Sequence, residues 1–404
     1  MRLVTKSLDY AVEASIISLF LTFPFAIRLF NDAWIILLIL YAVSKLLRRE
    51  GIALPSMTPL LILFVVFVVV SATAAHFEFD KTRYLLMGVG TCLFTYDWFS
   101  RDEKRLARVV IYFITSALLA SCIAVFQIFL ENLPADYRAQ GPFSNTFYLA
   151  LWTGTGLFLT INIFARSRGL AMLLLCLGAI VMLAFAFILS KTRAPWIALM
   201  LVLGVTCYFW ANRKTVLVVV GVLIVLFGGM VICDEFVRLR LLAVIHNTDD
   251  LRWQMWQKTA ESMIAQFGLR DWLVGCGPGA YSIKLPYEGQ ILEFAFPHFM
   301  PMELLHSLGI CGTSAFFAWF GALCYRNIRL ICERAPWSPS PPVGMVATLI
   351  FFTCFFNESF FARYFSFPFW FFSGISLALI NEGGRVQMKP PRSASISIQP
   401  ENLG

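Results

Sequence analysis

Charge is scarce in this chain. Only 14% of its 404 residues are Asp, Glu, Lys or Arg, where a soluble domain carries about a quarter. That shortage excludes an ordinary soluble enzyme and an ordinary all-β domain. Histidine is scarcer: His76, His246, His298 and His306 are the four present. No HExxH run and no Cys/His spacing of the zinc kind occurs. The net charge of +8 comes with no basic stripe and no nucleic-acid motif, so nucleic acid is not an expected partner. No repeat of about 20–50 residues is visible. The opening stretch, residues 1–27, lacks a small-residue cleavage site and reads as a retained first span.

Apolar residues are abundant, at 59% of the chain. They come in unbroken runs, not in the alternation of an outer-membrane barrel. A spanning helix needs about 20 of them. The runs predict an all-α polytopic membrane protein with twelve transmembrane helices. Their expected ranges are 10–28, 32–46, 57–75, 84–99, 108–130, 147–165, 169–189, 195–211, 215–233, 302–323, 342–357 and 364–381. Helices 1–9 thus fill residues 1–233, a large loop takes 234–300, helices 10–12 fill 301–381, and 382–404 is expected to be a disordered tail. Lys and Arg set the orientation. With the amino terminus inside, inner segments hold nineteen of the 32 and short outer loops hold seven, so both termini are expected in the cytoplasm and segment 234–300 outside. Eight cysteines fall in apolar runs or at their ends and serve as small apolar residues. Cys233 and Cys276 flank or occupy the long polar stretch, where a pairing is left open.

Within that stretch, TDDLRWQMWQKTAESMIAQF reads as a helix with Thr248 or Asp249 at its cap. Trp256, Ala260, Met263, Ile264 and Phe267 form its expected apolar stripe, packed on the protein or resting on the membrane surface. GCGPG at 275–279 lacks the strand before it and the Lys-Ser/Thr after it that a phosphate loop needs, so a tight turn re-entering the membrane edge is the better reading.

Two groups of residues can carry chemistry. His298 stands in FPHFMPMELLHSLGICG, just before the tenth span and on the outer side, with His306 eight residues on. A single His at a membrane edge is most often structural. The second group is Arg193 in LSKTRAPW, Arg252 at the start of the loop helix and Arg363 in ESFFARYF. Each alone reads as an interfacial anchor. Three on the arginine-poor side point to phosphate, whose oxygens fit the guanidinium fork in pairs.

These residues resemble the bacterial O-antigen ligase family, which shares a signature region with O-antigen polymerases. His298 is followed by Gly309 and Gly312 at the family's offsets of eleven and fourteen. The next position departs: Phe299 stands where the family has Asn, Ser or Gln. SKTRAPWIAL and DDLRWQMWQKTAESM resemble the blocks that hold the family's functional arginines, which places Arg193 and Arg252 in that role; SFFARYFSFP resembles the ligase ending and adds Arg363. The resemblance implies a GT-C-like glycosyltransferase of the Gram-negative inner membrane. It would move O-antigen polysaccharide from undecaprenyl pyrophosphate to a sugar of lipid A–core at the periplasmic face, with inversion and without metal, ATP or other cofactor. His298 would be the catalytic base, and Arg193, Arg252 and Arg363 would bind the pyrophosphate. Surrounding membrane lipids are the other expected partners. The competing readings are an O-antigen polymerase with the same donor, a transporter of lipid-linked oligosaccharide, and a passive scaffold. Transporters place charge at mid-span, whereas Glu13 and Asp97 lie near span ends.

Overall fold

Fifteen elements, thirteen helices and two short strands, make up the described parts of the chain. The structure, a computed structural model, describes residues 2–74, 79–130, 138–165, 167, 169–209, 220–221, 224, 228, 251–287, 290–333 and 343–387. In order these are α1 (Arg2–Phe25), α2 (Ile27–Arg48), α3 (Thr58–Ala74), α4 (Phe79–Phe99), α5 (Glu103–Leu130), α6 (Thr146–Phe164), α7 (Leu170–Leu189) and α8 (Arg193–Phe209). Then follow α9 (Leu251–Gln266), α10 (Leu269–Val274), β1 (Ile283–Tyr287), β2 (Gln290–Phe294), α11 (Met300–Glu333), α12 (Val346–Cys354) and α13 (Arg363–Gln387). Most of the expected ninth span (all but residues 220–221, 224 and 228), His76, His246, Cys233, the caps Thr248 and Asp249, and the tail beyond Gln387 lie outside the described residues.

Seven of the described helices are long and apolar enough to cross a membrane, and α3 and α8 are shorter apolar helices. That is fewer than the twelve expected, and two cases show why. α4 carries Asp80, Lys81, Arg83 and Asp97 and so lacks an apolar window of full length. α12 has nine residues, about 14 Å at 1.5 Å per residue, half of a bilayer core of about 30 Å. The chain leaves α12 in turns, and Glu358, Ser359, Phe360 and Phe361 then pass through the interior without helix. Irregular backbone inside an apolar bundle survives only where its polar groups find partners. Here the Glu358 amide reaches the Cys354 carbonyl at 3.1 Å, and the Phe360 amide reaches the Glu303 carboxylate at 2.7 Å.

Packing follows from small residues and rings. α4 and α13 run side by side in the same direction. Ser366 donates to the Tyr84 carbonyl at 2.8 Å near one end, and Asn381 donates to the Tyr96 hydroxyl at 2.9 Å near the other. Between them Gly88 lies under Trp370 and Gly374 lies against Cys92 and Thr95, where any side chain would overlap its neighbour. Close approach over small residues is how apolar helices associate in lipid. An aromatic core of Phe20, Phe23, Phe113, Trp152 and Phe371 ties α1, α5, α6 and α13, with Phe23 and Trp152 stacked at 4.4 Å. α6 is buried along almost its whole length. α7 instead leaves Leu170, Leu174, Leu175 and Val181 exposed, as a lipid-facing helix does.

The large loop holds more than the one helix expected. β1 and β2 form an antiparallel hairpin with Ile283 opposite Phe294 and Tyr287 opposite Gln290. The hairpin redirects the face that α9 buries. Met255, Thr259 and Met263 are its buried residues, while Ile264 is exposed. The stripe expected through Trp256, Ala260 and Ile264 is therefore turned by about one position. Its cause is a small core of Met255, Tyr281, Ile283 and Leu285, closed by a hydrogen bond of 2.7 Å between Thr259 and the Tyr281 hydroxyl.

Candidate functional site

The turn at 275–279 and the kink in α11 explain each other. Gly275, Gly277 and Gly279 all have positive φ, which confirms a tight turn. α11 is interrupted at Gly309, with φ 63° and ψ −173°, a conformation open to glycine alone. The break frees carbonyls one turn earlier. The Cys276 amide takes that of His306 and the Gly277 amide that of Ser307, both at 2.9 Å. Ser71 of α3 adds its hydroxyl to the Ser307 carbonyl. A Cβ at Gly275 would strike the backbone of Ser307 and Leu308, and one at Gly309 would strike Leu273 and Val274. Gly312 presses on Phe67 of α3. Gly309 thus lets the loop lock onto α11, and Gly312 lets α11 pack on α3. Cys276 is a free thiol in this turn, held above its ordinary pKa by burial.

That lock fixes the start of α11, where His298 lies. Its φ of 50° is left-handed, unusual for a side chain of this size. The Phe355 carbonyl accepts from the Met300 amide at 3.0 Å and so pins the helix start to the chain leaving α12. The imidazole packs on Phe296 with ring centres 4.1 Å apart, and its Nδ1 is buried without a partner. The backbone carbonyl of Asn357 faces the ring. Burial, then the nearby Arg252 charge, push the His298 pKa down to about 4, with the Asn357 carbonyl opposing. The ring is neutral at ordinary pH and has a lone pair to offer.

Arg252, in the first turn of α9, is exposed and donates to the Asn357 side-chain oxygen at 2.9 Å. His298 and Arg252 are thus brought together by one residue that the sequence reading did not single out. Phe299, the departure from the family pattern, has a packing role. It stacks on Phe356 at 5.6 Å and meets Trp256 at 5.2 Å, while the Trp256 indole donates to the Pro297 carbonyl at 2.8 Å.

Arg193 opens α8 after the turn Ser190–Lys191–Thr192, with Lys191 at φ 49°. Arg138 braces this turn, donating to the Ser190 carbonyl at 3.3 Å and the Thr192 hydroxyl at 3.0 Å. The segment that follows Arg138 enters α6 through the Asn145 cap, so Arg193 lies at the α6 amino-terminal end. Tyr148 in the first turn of α6 stacks on Tyr364 at 3.9 Å and hydrogen-bonds Glu358. Arg363 opens α13 with its guanidinium over the Tyr364 ring at 5.5 Å. All three arginines and His298 therefore share one end of the bundle. His306 goes elsewhere: its ring packs on Phe267 and Tyr281 under the loop.

Two buried acids were not anticipated. Glu303, in the first turn of α11, accepts from the Ser359 hydroxyl and from the Phe360 amide. Burial raises the Glu358 carboxyl to about 7, against the Tyr148 hydroxyl, the Ser359 amide and Lys81, which favour its charged form.

Helices of membrane-spanning length, a folded loop docked over one end, and an imidazole brought near an arginine there are features of a polytopic helical membrane protein. The comparisons add a likeness over part of the chain. The model described as O-antigen ligase matches residues 177–317, a stretch that holds Arg193, Arg252, His298, Gly309 and Gly312. Over that stretch the chain is similar to the O-antigen ligase family, whose members are glycosyl-transferring enzymes acting on lipid-linked sugars. No curated protein matches the sequence.

Proposed function

We propose that the protein is the O-antigen ligase itself, moving polysaccharide from undecaprenyl pyrophosphate to a sugar of lipid A–core at the periplasmic face of the inner membrane. The observation that carries this reading is the pairing of a neutral, partly desolvated imidazole with an arginine through Asn357. An acceptor alcohol has to lose a proton as it attacks, and a diphosphate has to leave with its charge stabilised. His298 takes the hydroxyl proton as general base. The hydroxyl oxygen attacks the anomeric carbon in line while the bond to the pyrophosphate oxygen breaks, which inverts that centre. Arg193 and Arg252, with Arg363 further along the same end, hold the departing diphosphate. The excess of Lys and Arg on the other side favours a periplasmic site. The domain division stands with this proposal: a transmembrane bundle of residues 1–233 and 301–381, and a loop unit of 234–300 that carries Arg252 to it.

The test is the lipopolysaccharide profile of a deletion strain complemented with wild type or His298→Ala, followed by conversion of purified donor and acceptor in detergent. Loss of ligation with complete chains left on the lipid carrier supports the reading. Single repeats attached to core would assign a polymerase instead, and full ligation by a folded His298→Ala protein would overturn the mechanism.

A further inference from the structure

Asn357 makes two contacts that no other described residue combines. Its side-chain oxygen accepts from the Arg252 guanidinium at 2.9 Å. Its backbone carbonyl faces the His298 imidazole. It sits between the end of α12 and the buried segment Glu358–Phe361, and its own amide is tied to the Cys354 carbonyl at 3.1 Å. That segment is clamped in turn by Glu303, which holds Ser359 and Phe360. The residue is therefore set on an immobile support, while Arg252 stands on the loop side and is exposed.

The chemistry of the contact matters. An amide oxygen orients a guanidinium without cancelling its charge. A carboxylate at the same place would form a charge-assisted pair about twice as strong and would compete with an anionic ligand. The carbonyl, for its part, fixes one ring nitrogen of His298 as a donor, which leaves the other as the lone-pair acceptor.

We propose that Asn357 is a positioning residue that couples the two halves of the site. Its side chain parks Arg252 where an arriving diphosphate can take over the guanidinium, and its backbone carbonyl orients the His298 imidazole at the same end of the bundle. This inference rests on the ligase reading and names a residue outside the region matched by the family model.

The two contacts are separable, because substitution alters the side chain and keeps the carbonyl. Steady-state ligation by purified full-length Asn357→Ala and Asn357→Asp proteins, with the lipid-linked donor and the lipid A–core acceptor varied in turn, reads them apart. Asn357→Ala should raise the donor KM several-fold and leave the acceptor KM near wild type. Asn357→Asp should raise the donor KM further, by about tenfold over the alanine variant, since a charge-assisted bond to Arg252 must then be given up. Asn357→Asp combined with Arg252→Gln should lose that extra penalty. Wild-type donor KM in Asn357→Asp, or an equal fall in kcat alone in both single variants, overturns the proposal. His298→Ala in the same panel keeps the two readings distinct. If it ligates normally the ligase mechanism fails; if it is inactive while the Asn357 variants are unaltered, only the role of Asn357 fails.

Discussion

At the end of the bundle away from His298, acids sit against bases. Asp97 is buried and meets Lys45 at 2.5 Å, Arg101 at 3.1 Å and the Tyr41 hydroxyl at 2.8 Å. Arg101 also pairs with Glu50. Arg48 reaches Asp9 at 2.5 Å, and Arg108 grips both oxygens of Glu13 at 2.6 and 3.2 Å. At the His298 end, Lys284 and Glu293 of the hairpin approach to 3.7 Å, but the described hydrogen bonds of the buried acids and of Arg138 and Arg252 run to neutral groups. Glu303 meets a hydroxyl and an amide, Glu358 a phenol and an amide, Arg138 a carbonyl and a hydroxyl, and Arg252 an amide oxygen. The first pattern cancels charge and holds helix ends together. The second orients charged groups through neutral hydrogen-bond partners, which suits the proposed handling of an ionic substrate.

The sharpest way to break this contrast is a substitution at each end. His298→Ala should cut ligation about 100- to 10,000-fold with unchanged helix content, measured as turnover by purified protein. Asp97→Ala should do the reverse: about 3 kcal/mol of stability is lost because buried Lys45 is left with its longer contacts to Glu50 and the Gly51 carbonyl, while turnover per folded molecule is kept. A detergent thermal-shift assay beside the activity assay separates the two. If Asp97→Ala abolished turnover at full stability, the division of labour between the ends would be wrong.

Smaller effects sharpen it. Arg252→Lys and Arg193→Lys should each lower kcat/KM about tenfold to a hundredfold, because an ammonium offers no planar fork. Gly309→Ala should cost about 1–3 kcal/mol through strain at its positive φ, seen as a lower unfolding midpoint, with the loop loosened from α11. The smallest change concerns pH. With the His298 pKa held near 4, the acid limb of kcat/KM should lie nearer 4 than the ordinary 6.5. Removing the Arg252 charge with Arg252→Gln should move that limb upward by less than about one pH unit. The signs for stability oppose. His298 has a depressed folded pKa, so its contribution is present above 6.5 and falls as pH drops toward 4. Glu358, raised to about 7, contributes below about 4.5 and loses its contribution as pH rises through 7. Glu358→Gln removes the second effect, and a limb that stayed at 6.5 in that background would count against a desolvated His298.

Much of the site was readable because its residues sit in local patterns. The spacing of His298, Gly309 and Gly312 carried the family resemblance, and Gly309 proved to be where α11 breaks to receive the loop. Arg193 and Arg252 opened helices, as their blocks suggested. Asn357, Glu303, Glu358, Tyr148 and Lys81 gave no local sign. Glu303 lies 56 residues from the Ser359 hydroxyl it holds, and Asn357 lies 105 residues from Arg252. The β hairpin was hidden for another reason: IKLPY and QILEF are short and half exposed, and pair only because α9 lies over them. α12 was read as a full span because hydropathy does not register where a helix stops inside a bundle.

The sequence by itself determined that this is a helical membrane protein, which runs are helix, and which end of them gathers His298 and the arginines. These follow from solvation and backbone chemistry, which act locally along the chain. Only the tertiary structure decided that Asn357 joins Arg252 to His298, that two acids are buried beside them, and that α11 breaks to receive the turn at 275–279. Those outcomes depend on which surfaces meet across long stretches of chain, and steric fit and hydrogen bonding at that range leave no period in the sequence.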